Sequence, residues 1–174
     1  GIDEAKMQIL APMYKGENGI DNLNLILQKI YNPRSASKNE MIYGDVIFRE
    51  GDKVLQLVND LDKNVFNGDI GFIKSIDSKE IVIDFEGNKV TYPKKDLKQI
   101  KHAYAITIHK SQGSEFDHVI MPVVSSYYKM LYNKLVYTGV SRAKKSLTII
   151  GDPLAFARAV NNNYSQNRKT TLKD

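Results

Sequence analysis

Residues 103–117 read Ala-Tyr-Ala-Ile-Thr-Ile-His-Lys-Ser-Gln-Gly-Ser-Glu-Phe-Asp, and this stretch decides the expected fold. An apolar, β-prone run passes directly into a dense group of polar residues that contains one glycine. Backbone N–H groups, hydroxyl groups and a lysine at the end of a strand can donate to phosphate oxygens, while a carboxylate can accept from a sugar hydroxyl. The stretch therefore predicts a strand followed by a loop that binds phosphates and sugars. A simple polar turn between two strands is the alternative.

A second informative stretch, residues 135–152, reads Leu-Val-Tyr-Thr-Gly-Val-Ser-Arg-Ala-Lys-Lys-Ser-Leu-Thr-Ile-Ile-Gly-Asp. The pattern predicts a helix that ends near Ser141–Lys144, followed by a buried strand over Leu147–Ile150. An arginine at a helix end beside a parallel sheet can reach a ligand at the carboxyl edge of that sheet. Arg142 is therefore a candidate ligand-binding residue. A solvated basic helix terminus, which the helix dipole favours, is the alternative.

The start of the chain predicts a strand, a loop and a helix. The strand begins at Met7, and the loop is marked by Pro12, Gly16 and Gly19. Apolar residues at helical spacing then predict one buried helix face, formed by Ile20, Leu23, Leu27 and Ile30.

Between these parts, residues 42–97 predict a small β-barrel. Five short β-prone segments are each closed by a turn, and Ile81, Ile83 and Phe85 alternate with other residues before a glycine-containing turn. A run of lysines follows, beside Tyr92 and Tyr104. Such a surface can track phosphates and stack bases, although a solvated edge that prevents aggregation is the more common explanation for each lysine. The run comprises Lys89, Lys94, Lys95, Lys98 and Lys101.

Taken in order, the three flanking stretches resemble motifs IV, V and VI of superfamily 1 helicases. The segment from Phe48 to Gly71 resembles the SH3-like insertion of RecD-like helicases. By this resemblance the chain is identified as the carboxyl-terminal part of a RecD-like DNA helicase, of the exodeoxyribonuclease V alpha subunit type. The resemblance implies an α/β fold in which residues 1–41 and 99–174 form a second RecA-like domain with a partial parallel sheet. Residues 42–98 would form an inserted SH3-like barrel.

The resemblance also implies roles for individual residues. Arg142 would meet the γ-phosphate of ATP and act in catalysis, and Gln112 would couple the nucleotide and DNA sites. Asn67 precedes Gly68, so an ordinary turn also explains it. The further nucleotide-binding residues would be Tyr14, Lys15, Gly113 and Glu115. The DNA-binding residues would be Thr107, His109, Lys110, Asn59 and Asn67.

The implied cofactor is ATP with Mg²⁺, bound largely outside this sequence. No Gly-x-x-x-x-Gly-Lys followed by Ser or Thr occurs, and no acidic Walker B motif is present. The first RecA-like domain of a longer chain is expected to hold magnesium, so this chain alone is expected to be inactive. Expected partners are single-stranded DNA, duplex junctions, the rest of its own chain and helicase–nuclease subunits, with 5′ to 3′ movement.

Composition agrees with this prediction without requiring it. The 174 residues carry a formal net charge of +5, which permits a polyanionic partner. Cysteine is absent, which excludes disulfides and cysteine-based zinc sites and fits a reducing cytoplasm. The three histidines have no convincing metal-ligand spacing, and no apolar run is long enough to span a bilayer.

Two other classes remain open from the sequence. One is the helicase half of a conjugative relaxase or a Pif-like helicase, because both share motifs V and VI. The other is a non-catalytic nucleic-acid-binding module with an SH3-like barrel on an α/β scaffold. The binding module ranks lower, since it gives no reason for three helicase motifs to occur in order.

Overall fold

The computed structural model describes residues 6–11, 19–123 and 138–151. The chain forms two compact units: Gly1–Asn22 with Ala105–Asp174, and Leu23–Tyr104. The predicted barrel boundaries at residues 42 and 98 remain a prediction. In chain order the elements are β1 Met7–Ala11, α1 Ile20–Tyr31, β2 Glu40–Tyr43, β3 Val46–Arg49, β4 Lys53–Gln56, β5 Ile70–Ile76, β6 Glu80–Phe85, β7 Asn88–Pro93, β8 Ile100–His102, β9 Ala105–Thr107, β10 Phe116–Val123 and β11 Ala143–Gly151.

The first unit contains the predicted parallel sheet. Four strands lie in the order β11-β10-β1-β9, and every neighbouring pair is parallel. The central strand β1 buries Leu10 and Ala11 completely, as expected for a strand with neighbours on both sides. The α/β fold with a parallel sheet is therefore confirmed.

The prediction of a buried strand at Leu147–Ile150 is wrong in part. The strand exists as β11, but Ile149 is 39% exposed and Ile150 is 56% exposed. The reason lies in its position at an edge, because β11 pairs only with β10 among the described strands. An apolar, β-branched run predicts a strand from local preference, but it does not reveal which strand occupies an edge.

The second unit is built from antiparallel strands. Five of them form a sheet in the order β7-β6-β5-β4-β8, and β2 pairs with β3 as a separate hairpin. The alternation in β6 is as predicted, since Ile81, Ile83 and Phe85 are buried. The turn to β7 has positive φ at Glu86 (49°) and Gly87 (93°), and Asp84 Oδ1 accepts the Gly87 N–H at 2.7 Å. This turn chemistry explains the tight β6–β7 hairpin.

Two strands of the second unit were not predicted. The hairpin strand β2 and the short strand β8 have no apolar pattern of their own that predicts them. Strand β8 is three residues long, and it forms because it pairs with β4, whose partner residues lie 44 to 48 positions earlier in the chain. Such pairing depends on the three-dimensional fold rather than on local propensity.

The predicted buried face of helix α1 is wrong in part, because Leu23 and Leu27 are only half-buried. Ile30 was expected in the core, but it is 65% exposed, and Leu25 and Ile26 are exposed as well. Ile20 is buried as predicted. The buried positions that continue from it at a spacing of four are polar: Asn24, Gln28 and, just past the helix, Asn32. The helix therefore turns an amide-rich face inward.

Among the described residues, no helix has both the length and the apolar character needed to cross a membrane.

Candidate functional site

The loop that follows β9 holds the first group of predicted site residues. Thr107 ends β9 and is buried, and its Oγ1 accepts the backbone N–H of Lys110 at 3.1 Å. A 3-10 helix then spans His109–Ser111, and the Ser111 hydroxyl donates to the carbonyl of Ile108 at 2.5 Å. These bonds fix a compact turn at the carboxyl end of β9, from which the exposed His109 side chain projects.

The same loop continues through the second group of predicted residues. Gln112, Gly113 and Glu115 are exposed, and Gly113 has a φ of 81° with no atom within 4 Å of the place that a Cβ would occupy. A side chain here would be strained by the backbone conformation rather than by crowding. The loop therefore offers an open glycine next to an exposed carboxylate.

Arg142 lies against this part of the loop. Its guanidinium donates to the Ser114 carbonyl at 3.2 Å and to the Ser141 hydroxyl at 3.1 Å. Its backbone carbonyl accepts the N–H of Phe116 at 2.7 Å. The Arg142 Nε is buried and has no hydrogen-bond partner among the described residues. The structure thus brings two stretches together that are well separated in sequence.

The predicted sheet edge for Arg142 is wrong. Arg142 lies at the amino ends of β10 and β11, not at a carboxyl edge. The helical residues 138–140 lead directly into β11 through a two-residue turn, so the arginine must lie where that strand begins.

The loop 108–115 therefore runs from the carboxyl end of β9 to the amino end of β10. Ile9 pairs with both Ala105 and Ile120, so these two residues lie at the same height in the sheet. Thr107 therefore lies six positions further along the strand direction than Phe116. At the rise of a parallel strand this separation is about 20 Å. Thr107 and Arg142 therefore lie at opposite ends of the strands of one sheet, and Gln112 lies between the two predicted groups in the chain.

Other predicted residues lie elsewhere. Tyr14 and Lys15 lie outside the described residues. Asn59 and Asn67 belong to the second unit, where Asn59 Oδ1 accepts the backbone N–H of Asn67 at 2.9 Å. This bond helps to close the loop between β4 and β5, so Asn59 has a structural role in addition to its predicted one.

The tyrosines beside the lysine run do not form a stacking surface. Tyr92 is fully buried and donates its hydroxyl to Gln56 Oε1 at 2.6 Å, and burial raises the pKa of this hydroxyl well above its usual range. Tyr104 is buried and donates to Asp52 Oδ1 at 2.8 Å. Both rings face inward because their hydroxyls find partners there. The base-stacking interpretation of these two residues is wrong.

The second unit also contains a buried carboxylate that the sequence patterns did not reveal. Asp52 has no exposed side-chain surface and accepts five hydrogen bonds. Two reach Oδ1, from Asn32 and Tyr104, and three reach Oδ2, from Gln28, His102 and the backbone N–H of Arg49, all at 2.8 Å. A buried carboxylate needs such donors, which explains the amide-rich inner face of α1. The amides at a spacing of four were the signal in the sequence.

The donors around Asp52 favour its ionised form. Burial, the largest influence, opposes ionisation, but the hydrogen bond and charge of His102 and the bonds from Asn32 and Arg49 outweigh it. The pKa of Asp52 is therefore lowered from its ordinary value of 3.8.

This lowered pKa predicts acid sensitivity. The unfolded chain binds a proton at Asp52 at higher pH than the folded chain does, so the contribution of Asp52 to stability is complete above the ordinary pKa of 3.8. It is lost as the pH falls through the lower, folded pKa. We expect the free energy of unfolding to fall on acidification below about pH 4, and to fall less in an Asp52→Asn variant. Denaturant titrations at stepped pH measure both slopes; equal slopes would contradict the prediction.

Two parts of the chain match known helicase domains. Residues 23–85 match the family model described as the ATP-dependent RecD-like DNA helicase SH3 domain, and residues 102–150 match the UvrD-like helicase C-terminal domain. The ATP-dependent RecD2 DNA helicase of Deinococcus radiodurans is 34% identical over 150 residues, which cover 86% of this chain and 21% of the relative. The RecBCD enzyme subunit RecD of Haemophilus influenzae is 34% identical, covering 91% of this chain and 28% of the subunit.

Solved structures agree on the fold. The Pif1 helicase from Bacteroides, crystallised in complex with ADP-AlF3 and single-stranded DNA, has a TM-score of 0.61 at 19% identity. The match covers 94% of this chain and 44% of that protein. A similarity at this level of identity concerns the fold alone.

The RecD-like SH3 match lies in the second unit and most of the UvrD-like helicase C-terminal match lies in the first, so both units carry a match to a helicase domain. The chain is similar to the RecD-like DNA helicases over most of its length. These matches do not favour a conjugative relaxase, a Pif-like helicase or a non-catalytic module. The chain spans roughly a fifth to a quarter of the length of the curated relatives compared above.

Proposed function

We propose that this chain supplies the second RecA-like domain and the inserted SH3-like barrel of an ATP-dependent DNA helicase that moves 5′ to 3′. The observation that carries the proposal is the contact of Arg142 with the Ser114 carbonyl at one sheet edge, while His109 projects at the other. One rigid sheet thereby supports two separate groups of polar residues. The direct test is single-stranded-DNA-stimulated ATP hydrolysis and unwinding of a 5′-tailed duplex by the full-length parent; failure of both would contradict the proposal.

The proposed nucleotide site lies at the amino edge of β10 and β11. Its residues fit a polyphosphate, because the buried Arg142 Nε has no hydrogen-bond partner among the described residues and Gly113 is exposed in the loop. Glu115 would accept from the sugar, and Arg142 would place a fixed positive charge where the transferring phosphoryl group gains negative charge. Tyr14 and Lys15 remain proposed contacts to the base and the phosphates.

Magnesium would be held by the first RecA-like domain. Within the described residues no group of three or more His, Asp or Glu side chains could hold a metal ion. When bound with ATP, Mg²⁺ neutralises phosphate charge.

The proposed DNA site lies at the carboxyl end of β9, where His109 and Lys110 would meet the sugar–phosphate backbone. Thr107 is buried, so its proposed contribution to DNA binding is to hold the turn that carries these two residues. Asn59 and Asn67 are proposed as separate DNA contacts in the second unit. Gln112 is proposed to couple the two ends of the loop. Beyond single-stranded DNA and duplex junctions, the proposed partners are the remainder of the parent chain and helicase–nuclease subunits, in the cytoplasm.

The isolated chain is expected to hydrolyse no ATP and to unwind no DNA, because its sequence lacks a phosphate-binding loop. A coupled-enzyme assay of the purified chain, with and without single-stranded DNA, measures this. The Arg142→Ala variant is the matched control. Steady hydrolysis that disappears in this variant would mean that the chain carries a complete active site.

In the full-length parent, the double change Thr107→Ala with His109→Ala is expected to weaken single-stranded DNA binding about tenfold, as for loss of hydrogen bonds to a charged group. DNA stimulation of hydrolysis should fall, while basal hydrolysis largely survives. If His109 carries charge, the slope of log affinity against log salt concentration should become shallower, by less than the amount that one phosphate contact contributes.

Fluorescence anisotropy at several salt concentrations checks this result. His118→Ala is a control of the same residue type on β10, and unfolding curves must match, since Thr107 also stabilises the turn through Lys110. Unchanged DNA affinity, or joint loss of binding and basal hydrolysis, would contradict the assignment.

A further inference from the structure

Lys144 lies beside the proposed nucleotide site and pairs with one of its residues. Its Nζ is 3.6 Å from Glu115 Oε2, and the two side chains are 54% and 61% exposed. Arg142, two positions earlier, binds the carbonyl of Ser114, the neighbour of Glu115. Two cations on one segment therefore converge on two adjacent loop residues.

An irregularity in strand pairing accounts for this placement. Phe116 pairs with Ala143 and His118 pairs with Ser146, so two residues of β11, Lys144 and Lys145, stand opposite the single residue Asp117. Such a bulge redirects side chains at the start of a strand. At this bulge Lys145 Nζ lies 3.5 Å from Asp117 Oδ2.

The Lys144–Glu115 pair is suited to exchange. Ion pairs between solvent-exposed groups are weak because water screens them and both long side chains lose freedom. An ammonium group is a compact charge with three donors, which suits phosphate oxygens. A nucleotide at this edge would offer Lys144 a more highly charged partner and would offer Glu115 a sugar hydroxyl.

We propose that Lys144 is a further nucleotide-binding residue, whose ammonium group leaves Glu115 and pairs with the polyphosphate when ATP binds. This inference rests on the proposed function and deepens it by assigning a second cation to the phosphates. Lys145 has no such role, because its partner Asp117 is not part of the proposed site.

The test compares Lys144→Met with Lys145→Met in the full-length parent, with equilibrium binding of ATP and of AMP measured for each. Methionine keeps the apolar stem and removes the charge. Lys144→Met should weaken ATP binding on the order of tenfold, the size of a lost hydrogen bond to a charged group, and weaken AMP binding much less. Lys145→Met should leave both affinities unchanged, and Lys144→Arg should retain most of the ATP affinity.

The outcomes separate the two proposals. Wild-type ATP affinity in Lys144→Met would overturn this inference alone. Equal weakening of ATP and AMP would also overturn it, since Lys144 would then act only through Glu115 and the sugar. A wild-type parent that binds no ATP would overturn the proposed function and this inference with it. Matched unfolding curves for all variants show that the exposed substitutions leave the fold intact.

Discussion

Replacing Arg142 by lysine in the full-length parent is expected to lower ATP turnover about a thousandfold while single-stranded DNA binding persists. Lysine keeps the charge but loses the planar guanidinium, which donates to two acceptors at once. In the structure that group already reaches both Ser114 and Ser141. The loss should fall mainly on kcat, since the proposed charge acts on the transferring phosphoryl group.

Steady-state hydrolysis and DNA anisotropy measure the two effects side by side. Lys145→Arg exchanges the same two residue types in the same stretch and should change neither. If Arg142→Lys turned over ATP within a few-fold of the wild-type rate, the proposed catalytic role of Arg142 would be wrong. Parallel loss of DNA binding would show that the two sheet edges are not functionally separate.

Replacing Asp52 by asparagine is expected to destabilise the second unit by about 3–5 kcal/mol, the usual cost of removing one partner of a buried charge network. The five donors around Asp52 would face an amide with a single acceptor oxygen and two N–H groups of its own. Several donors would then be buried without a partner, and each costs free energy.

Chemical denaturation of this chain, followed by circular dichroism, measures the difference. The exposed Asp45 gives a matched Asp→Asn control, which should change little. Tyr104→Phe removes one of the five donors and should cost roughly 1.5–3 kcal/mol, the value of a hydrogen bond to a charged group, so it keeps the test informative if the Asp52 variant does not fold. Wild-type stability in Asp52→Asn would mean that the buried carboxylate is not the centre of this network.

Much of the architecture followed from local patterns. Apolar runs beside polar loops predicted β1, β9 and β11, and the alternation of Ile81, Ile83 and Phe85 predicted the β6–β7 hairpin. These features depend on neighbouring residues, so a short window contains their cause. The order of the three motif-bearing stretches was equally visible, because order is a property of the sequence itself.

The positions of the candidate site residues were only partly predictable. The resemblance to helicase motifs implied that Arg142 and Glu115 serve one ligand, and the structure brings their segments together. The sheet edge could not be predicted, because it depends on where the preceding helix ends relative to its strand. The roles of Thr107, His109 and Gln112 stay predictions.

The sequence by itself determined most of the elements, through side-chain periodicity and turn chemistry, whereas the short strand β8 forms because the fold pairs it with β4. The tertiary structure alone decided the burial of side chains that no local pattern explains. Tyr104 and Ile30 illustrate this, since an aromatic beside lysines is buried and an isoleucine on a helix is exposed. The physical reason is that Asp52 must find its donors, and one of them, Tyr104, lies 52 positions away in the chain. Burying one carboxylate therefore fixed the inward face of α1 through contacts that no local pattern contains.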